Sequence, residues 1–180
     1  MNKKEKILLY GANLWYLGEG MLGPLFAIFA ERIGGSILDI SWAWATYLIV
    51  TGLLIIFVGK ISDRINKEKL MIAGYFLNAL FTFSYLFVSS PKHLFIVQAG
   101  LGIATALGTP TWEALYAKYE DKRHAGFIWG LASGEAGIIT GVAMIIGGLI
   151  VNYFSFNTLF ITMGIIQVIG AIYQAQILKK

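Results

Sequence analysis

Six long apolar stretches take up most of this 180-residue chain, and they constrain its fold more than any other feature. Each is close to the roughly 20 residues that a helix needs to cross the hydrocarbon core of a bilayer. The predicted transmembrane spans lie approximately at residues 7–30, 41–58, 70–88, 94–117, 127–153 and 158–178. Because the segments between them are too short for a soluble domain, we predict a single all-α, polytopic membrane domain.

The composition also indicates a lipid environment. Hydrophobic residues make up 57% of the chain and charged residues 13%, about half of the ~25% that is typical of soluble domains. A soluble protein of this size could not bury so much apolar surface. There is no cysteine, no H-E-x-x-H motif and no aspartate pair within a span. We therefore expect no enzyme activity, no cofactor and no metal.

The basic residues predict the orientation of the chain in the membrane. An even number of spans puts both termini on one side, and only Arg32 and Lys92 of the 14 Lys and Arg residues fall on the other. By the positive-inside rule, both termini, with Lys179 and Lys180, are expected in the cytoplasm of a cell whose plasma membrane the chain crosses. The topology explains the net charge of +4, and no nucleic-acid partner is expected.

The segment between the second and third predicted spans carries a motif. It reads Gly59-Lys60-Ile61-Ser62-Asp63-Arg64-Ile65-Asn66-Lys67-Glu68-Lys69. It resembles the signature loop of the major facilitator superfamily, G-x-L-a-D-R-x-G-R-K/R, which joins the same two helices. The matching residues are Gly59, Asp63, Arg64 and Lys67. The resemblance implies a gating loop in which Asp63 docks at a helix N-terminus of the opposite half of the transporter.

Other stretches are similar to the same family along nearly the whole chain. In the fourth span, Gln98 stands where the family usually has an arginine. In the fifth, the antiporter signature G-x-x-x-G-P-x-x-G-G is only half present, because Val142 replaces the proline. The stretches at residues 20–24 and 31–34 resemble the drug:proton antiporter branch. That likeness implies proton-coupled export of a small amphipathic or cationic compound.

The resemblance further implies an architecture. Family members have about twelve spans in two six-span halves, each built from two inverted three-helix repeats. This chain covers one half, so we expect half of a major facilitator fold that works as a homodimer in the lipid bilayer. A split transporter with a different six-span half and a non-transporting membrane scaffold are the alternatives. Whether the chain is a natural half-length protein or a truncated one stays open.

Glycines recur along the fifth predicted span and form a face suited to close packing. The face comprises Gly130, Gly134, Gly137, Gly141 and Gly148. Such faces let two helices approach closely in lipid. Packing inside one bundle and contact with a second copy are both open. By the resemblance, we expect this span to meet span two of the partner, with Asp63 near residues 124–127 of the other copy.

Polar residues inside the spans indicate a pathway for a substrate or for protons. The candidates are Asn13, Tyr16, Glu19, Gln98, Glu113 and Glu135. A charge at mid-span costs roughly 2.5–3.5 kcal/mol on insertion scales, so such residues usually mark function. No Lys, Arg or His lies in the middle of a span. Either the carboxyls of Glu19 and Glu135 are protonated at rest, or a cationic substrate or ion neutralises them. A neutral carboxyl that only links two helices is the alternative.

The five tryptophans lie mostly near the ends of the predicted spans. They are Trp15, Trp42, Trp44, Trp112 and Trp129. Anchoring at the membrane–water interface explains this placement without a ligand. Under a second interpretation, Trp15, Tyr16 and Trp112 line a cavity.

Overall fold

The computed structural model of this protein describes residues 1–179, and helices account for most of them. The helices are α1 Lys3–Gly20, α2 Leu25–Arg32, α3 Ile37–Ser62, α4 Lys67–Ser84, α5 Pro91–Tyr119, α6 Ala125–Tyr153 and α7 Phe156–Gln174. Short 3-10 turns follow α4, precede α6 and follow α7. The described residues contain no strand, which confirms the all-α prediction. Lys180, counted above among the cytoplasmic basic residues, lies outside the described residues.

Five helical segments are long and apolar enough to cross a membrane. With their adjoining 3-10 turns they are Ile37–Ser62, Lys67–Phe87, Pro91–Tyr119, Lys122–Tyr153 and Phe156–Leu178. They coincide with the second to sixth predicted spans. The chain is therefore a multi-pass membrane protein by the length and composition of its helices, and it departs from the prediction at the first span.

The predicted first span, residues 7–30, is divided into two helices. The helix α1 ends at Gly20, and α2 begins at Leu25 after a turn. Pro24 has no N–H to donate to the carbonyl of Gly20, so one hydrogen bond of a continuous helix is missing at this point. Gly23 adopts a φ of 20°, which residues with a side chain rarely take. A single unbroken helix was therefore the wrong expectation for this stretch.

Side chains in the loops fix where several helices begin. The residues that cap α1, α3, α4 and α7 are Asn2, Ser36, Asn66 and Ser155. Each side chain accepts a hydrogen bond from the backbone N–H three residues later. That bond satisfies an N–H group which has no partner within the first helical turn. The helices thus start in the short polar segments between the apolar stretches.

The helices pack in a definite order around α1 and α5. The helix α1 packs on α6 and α7, α5 packs on α3 and α4, and α4 packs on α7. One apolar cluster surrounds Phe160 near the α2 end of the bundle, and another surrounds Tyr116 near the amino-terminal end. Both clusters pack side chains of several helices against one another.

Two helices are covered much less than the rest. In the most apolar stretch of α3, 17% of the residues are buried, and in α6 only 11%, against 44% to 56% for α4, α5 and α7. Both helices therefore keep a broad face that no described part of the chain covers. That face is available to lipid or to another protein.

Candidate functional site

A cavity of about 360 Å³ lies between the helices beside the break that separates α1 from α2. We call it the central cavity. Each of the seven helices contributes to its wall, and three of the predicted pathway residues are among them: Tyr16, Glu19 and Gln98. Much of the remaining wall is aromatic, from Phe26, Trp44, Tyr47 and Tyr85. Sites for small molecules typically measure ~300–1,000 Å³ and combine apolar walls with a few polar groups.

Glu19 is the acidic group of the central cavity. Its side chain is half-buried, and among the described residues that line the cavity none is Lys, Arg or His. A carboxyl group surrounded by aromatic rings is chemically suited to a positively charged guest, because the faces of aromatic rings attract cations.

Gln98 brings an unused hydrogen-bond donor to the same cavity. The residue is only 2% exposed, and its Nε2 atom has no hydrogen-bond partner among the described residues. Leaving a buried donor unpaired costs about 1–3 kcal/mol. An occupant of the cavity with an acceptor group could recover part of that free energy. The central cavity thus offers an acid, a donor and aromatic surface.

Two smaller cavities, of about 80 Å³ and 150 Å³, lie next to the central cavity. Tyr16 lines all three, so it stands between the central cavity and the smaller ones. Glu113 lines both smaller cavities, and Asn13 lines the one of 150 Å³. The side chains of Trp15 and Trp112 line the one of 80 Å³ together with Tyr16, as the second interpretation of the tryptophans expects.

Glu135 pairs with a neutral side chain rather than a cation. The Nδ2 atom of Asn13 donates a hydrogen bond of 2.6 Å to Oε2 of Glu135, which links α1 to α6. The bond joins two of the predicted pathway residues, and it favours the alternative in which Glu135 holds two helices together. All six predicted pathway residues are thus connected, either through a shared cavity wall or through this bond.

The bond between Asn13 and Glu135 is testable by a double-mutant cycle. We expect Asn13→Ala and Glu135→Ala to be less than additive, with a coupling free energy of about 1 kcal/mol, since interhelical hydrogen bonds in membranes measure ~0.6–1.7 kcal/mol. The measurement is reversible unfolding in detergent mixtures followed by circular dichroism. Asn13→Ala combined with Ser84→Ala, on a different helix, serves as the additive control. Strict additivity of the first pair would contradict the bond.

The predicted gating loop lies between α3 and α4, and it is open to its surroundings. Nζ of Lys67 lies 3.0 Å from Oδ1 of Asp63 and donates to the Ser62 carbonyl at 2.8 Å. The side chain of Asp63 is still 77% exposed. The Gly59 carbonyl accepts a hydrogen bond of 2.8 Å from the Ser62 hydroxyl, and the Arg64 N–H donates one of 2.9 Å to the Ile61 carbonyl. Docking of Asp63 on a second bundle stays a prediction.

The turn before α6 carries one ion pair and one contact between a histidine and an aspartate. Nζ of Lys122 donates to Glu120 at 2.7 Å, and this hydrogen bond holds the pKa of the Glu120 carboxyl below its usual value. The ring of His124 lies 3.0 Å from Asp121 and likewise lowers the pKa of that carboxyl. Both acids are therefore ionised at neutral pH. They form the local charge environment of the helix start that Asp63 of another copy is expected to approach.

The predicted glycine face of α6 is not packed within the chain. For Gly130, Gly134, Gly137, Gly141 and Gly148, no described atom outside the local helix lies within 4 Å of where a Cβ would stand. At 100° per residue these five positions fall within an arc of about 60°. Packing inside one bundle, the first alternative for this face, is therefore excluded for the described residues. Gly147, which the face omits, is the glycine that presses against the Met21 backbone.

The sequence pattern does not predict every residue of the central cavity. Anchoring at the interface is the expectation for Trp44, yet Trp44 lines the cavity together with Tyr47. The hydroxyl of Tyr47 lies 3.2 Å from that of Thr105, which ties α3 to α5 beside the cavity. The spacing of three between Trp44 and Tyr47 puts both on one face of a helix. That spacing was the available signal.

Comparison with known proteins shows which family the chain resembles. The family model described as Major Facilitator Superfamily matches residues 8–178. An uncharacterized MFS-type transporter of Methanocaldococcus jannaschii is 27% identical over 87% of this chain and 40% of its own length. The multidrug resistance protein MdtG of Enterobacter lignolyticus is 23% identical to this chain, over 89% of this chain and 40% of its own length. The MdtG protein of Escherichia fergusonii is also 23% identical, over 91% of this chain and 41% of its own length.

The chain spans about 40% of the length of these curated relatives. The family match nonetheless covers nearly all of the chain, and it agrees with the resemblance drawn from the loop at residues 59–69. It also agrees with the expectation that the chain is not an enzyme. Apolar helices, a cavity between them and a family match from residue 8 to residue 178 lead to one conclusion: the chain belongs to the major facilitator superfamily.

Proposed function

We propose that this chain forms one bundle of a secondary transporter that exports a small, cationic and amphipathic compound by alternating access. The observation that carries the proposal is the central cavity, where Glu19 lies among aromatic rings with no cation in the described wall. Two of the relatives are multidrug resistance proteins by name, which supports a substrate of this class. The compartment is the plasma membrane.

In this proposal, α1 and α2 together make the first of six crossings, and both termini are cytoplasmic. The packing order supports two inverted three-helix repeats. The first repeat comprises α1, α3 and α4, and the corresponding helices of the second are α5, α6 and α7. The helix α1 packs on α6 and α7 of the other repeat, just as α5 packs on α3 and α4. The contact between α4 and α7 joins two corresponding helices and so fits the same symmetry. Inverted repeats of this kind place the substrate site between the repeats near the bilayer midplane.

The working unit contains a second six-helix bundle, which is another copy of this chain or a different six-span half. Tyr16 and Trp44 in the wall of the central cavity are 38% and 50% exposed, so one bundle leaves the cavity open at the side. The poorly covered faces of α3 and α6 provide the contact surface. Asp63 then meets the start of α6 in the other bundle and gates the cytoplasmic side.

Protons and the substrate compete for Glu19 in this mechanism. The ionised carboxylate binds the cation from the cytoplasmic side, and protonation from the outside releases it. Tyr16 lies between Glu19 and Glu113, and the three side chains provide a polar route along the wall of the cavities. Glu19 binds either a proton or the cationic substrate at any one time, and this mutual exclusion couples the two fluxes.

The test is transport in proteoliposomes of the purified protein. With an acidic lumen and DNA trapped inside, outward movement of protons is expected to drive ethidium inward, seen as a rise in fluorescence. Collapse of the pH gradient with nigericin should abolish the signal, and protein-free vesicles give the baseline for passive entry. A folded, assembled protein with no flux above that baseline would favour the scaffold instead. A requirement for a second polypeptide would favour the split transporter.

A further inference from the structure

A groove separate from the central cavity runs along the outer side of α1, between α6 and α7. Its apolar part, about 430 Å³, has Leu14 and Leu17 as its floor and Ile139 and Val142 as one wall. A second compartment of about 370 Å³ continues it toward the amino terminus. Tyr10 and Tyr173 line both compartments, so the two form one continuous groove.

The two ends of the groove differ in chemistry. Lys3 and Lys6 line the amino-terminal compartment together with Gln176, and both lysines are exposed. Within the described residues neither lysine pairs with a carboxylate. The other end is almost wholly apolar, apart from Asn13, whose amide is engaged with Glu135. Basic residues at one end and an apolar slot at the other match an amphiphile with an acidic head.

The length of the groove fits one leaflet of a bilayer. From Lys3 to Leu17 the helix α1 rises about 21 Å, at 1.5 Å per residue. Half of a bilayer with its headgroups measures about 20–22 Å. Tyr10 and Tyr173 stand between the basic and apolar ends, where amphipathic rings prefer the level of the headgroups. A phospholipid of the leaflet on the amino-terminal side would therefore span the groove from head to chain.

We propose that this groove is a binding site for an anionic phospholipid. The phosphodiester lies against Lys3 and Lys6, and an acyl chain lies along Leu14 and Leu17 between α6 and α7. Basic pockets between helices at a membrane surface have the charge that anionic headgroups require. The occupant fills the gap between α6 and α7 and stabilises their packing on α1. This groove shares no wall residue with the central cavity, so lipid binding can be measured apart from the proposed transport.

Native mass spectrometry of the purified, delipidated protein tests the site by titration with palmitoyl-oleoyl phosphatidylglycerol and, separately, phosphatidylcholine. We expect one tight phosphatidylglycerol site. Lys3→Gln with Lys6→Gln should weaken it by about fivefold per lysine, since each surface cation contributes about 1 kcal/mol. The matched control is Lys60→Gln with Lys69→Gln, which removes two exposed lysines at the end of α3 and the start of α4 and should leave the affinity unchanged.

Filling the groove tests the apolar end. Val142→Trp should weaken both lipids, whereas Ile138→Trp, an exposed position on the same helix that does not line the groove, should weaken neither. Equal affinity for the two lipids would overturn the proposal, as would an equal loss in the control lysine pair. Competition by soluble glycerol phosphate as effective as that by the phospholipid would show that the groove binds no acyl chain, and would also overturn it. Circular dichroism verifies the fold of each variant, and the lysine variants decide the question even if Val142→Trp fails to fold.

Discussion

Glu19→Gln is expected to lower the affinity of the protein for tetraphenylphosphonium by about thirtyfold. Glu19 is the acidic residue among those described in the wall of the central cavity, so the substitution removes the charge that faces a bound cation. Two charges 4 Å apart attract by about 1 kcal/mol in water and about 4 kcal/mol at an effective dielectric constant of 20. A loss of about 2 kcal/mol, or thirtyfold, lies between these values. The aromatic rings keep their attraction for the cation, so weak binding remains.

The experiment is a binding titration with radiolabelled tetraphenylphosphonium on purified protein. Glutamine has nearly the shape of glutamate, so the fold should persist, and circular dichroism checks it. Glu31→Gln is the matched control, because it makes the same change of charge on an exposed side chain at the end of α2. We expect the control to bind like the wild type. An unchanged affinity in Glu19→Gln would remove the basis of the proposed substrate class.

Acidification provides an independent readout on the same residue. Protons compete with the cation for the carboxylate, so the affinity of the wild type should fall as the pH is lowered. The Glu19→Gln variant has no carboxylate at this position, so its weak affinity should stay flat over the same pH range. A parallel pH dependence in both proteins would assign the titration to another group.

Two glycines of α6 are expected to respond in opposite ways to the same substitution. Gly147→Leu should prevent folding, because a side chain there would collide with the backbone carbonyl of Met21. Backbone at the start of the α1–α2 turn cannot move aside as a flexible side chain does, so the cost reaches or exceeds the 1–3 kcal/mol usual for overpacking. Gly141→Leu meets open space instead. Its monomer should fold at least as well as the wild type, since glycine disfavours a helix interior by roughly 0.5–1 kcal/mol relative to alanine.

Assembly is where Gly141→Leu should fail. A bulky side chain on the open glycine face keeps another helix from approaching closely, so contact with a second bundle should drop by tenfold or more. The chain has no native cysteine, so the pair Gly52→Cys and Gly137→Cys reports contact between α3 and α6 without background. With this cysteine pair in both backgrounds, crosslinking in native membranes is expected between copies that keep Gly141 and not between copies that carry Gly141→Leu. Efficient crosslinking in both, or a wild type that is solitary in lipid, would defeat the proposed interface.

The fold class and the family followed from patterns that lie within short stretches of the chain. Runs of apolar residues fix how many segments prefer lipid, and the Asp63–Lys67 motif lies in one loop. These inferences need no knowledge of which helix lies beside which. Tyr16 and Glu19, three positions apart on α1, both line the central cavity, whereas Asn13 lines a neighbouring one.

Such local patterns do not predict which residues of different helices contact one another. Asn13 and Glu135 are 122 positions apart, and nothing in either sequence stretch shows that one donates to the other. The residue type of Trp44 and its place near the end of a predicted span are those of an interfacial anchor. Only the packing of α3 on α5 places it in the wall of the cavity. Gly141 and Gly147 are alike in sequence, yet one faces open space and the other the Met21 carbonyl.

Pro24 and Pro110 show which features follow from local sequence and which depend on the packing of the helices. The sequence alone placed Pro24 and Pro110 within apolar stretches and so committed both to the membrane. The chain breaks at Pro24, whereas α5 continues through Pro110, where the Thr111 hydroxyl donates to the carbonyls of Leu107 and Gly108. A missing N–H is a local property and is the same at both prolines. The helix α5 packs on α3 and α4, which come from other parts of the chain, and such packing decides whether a helix continues through a proline.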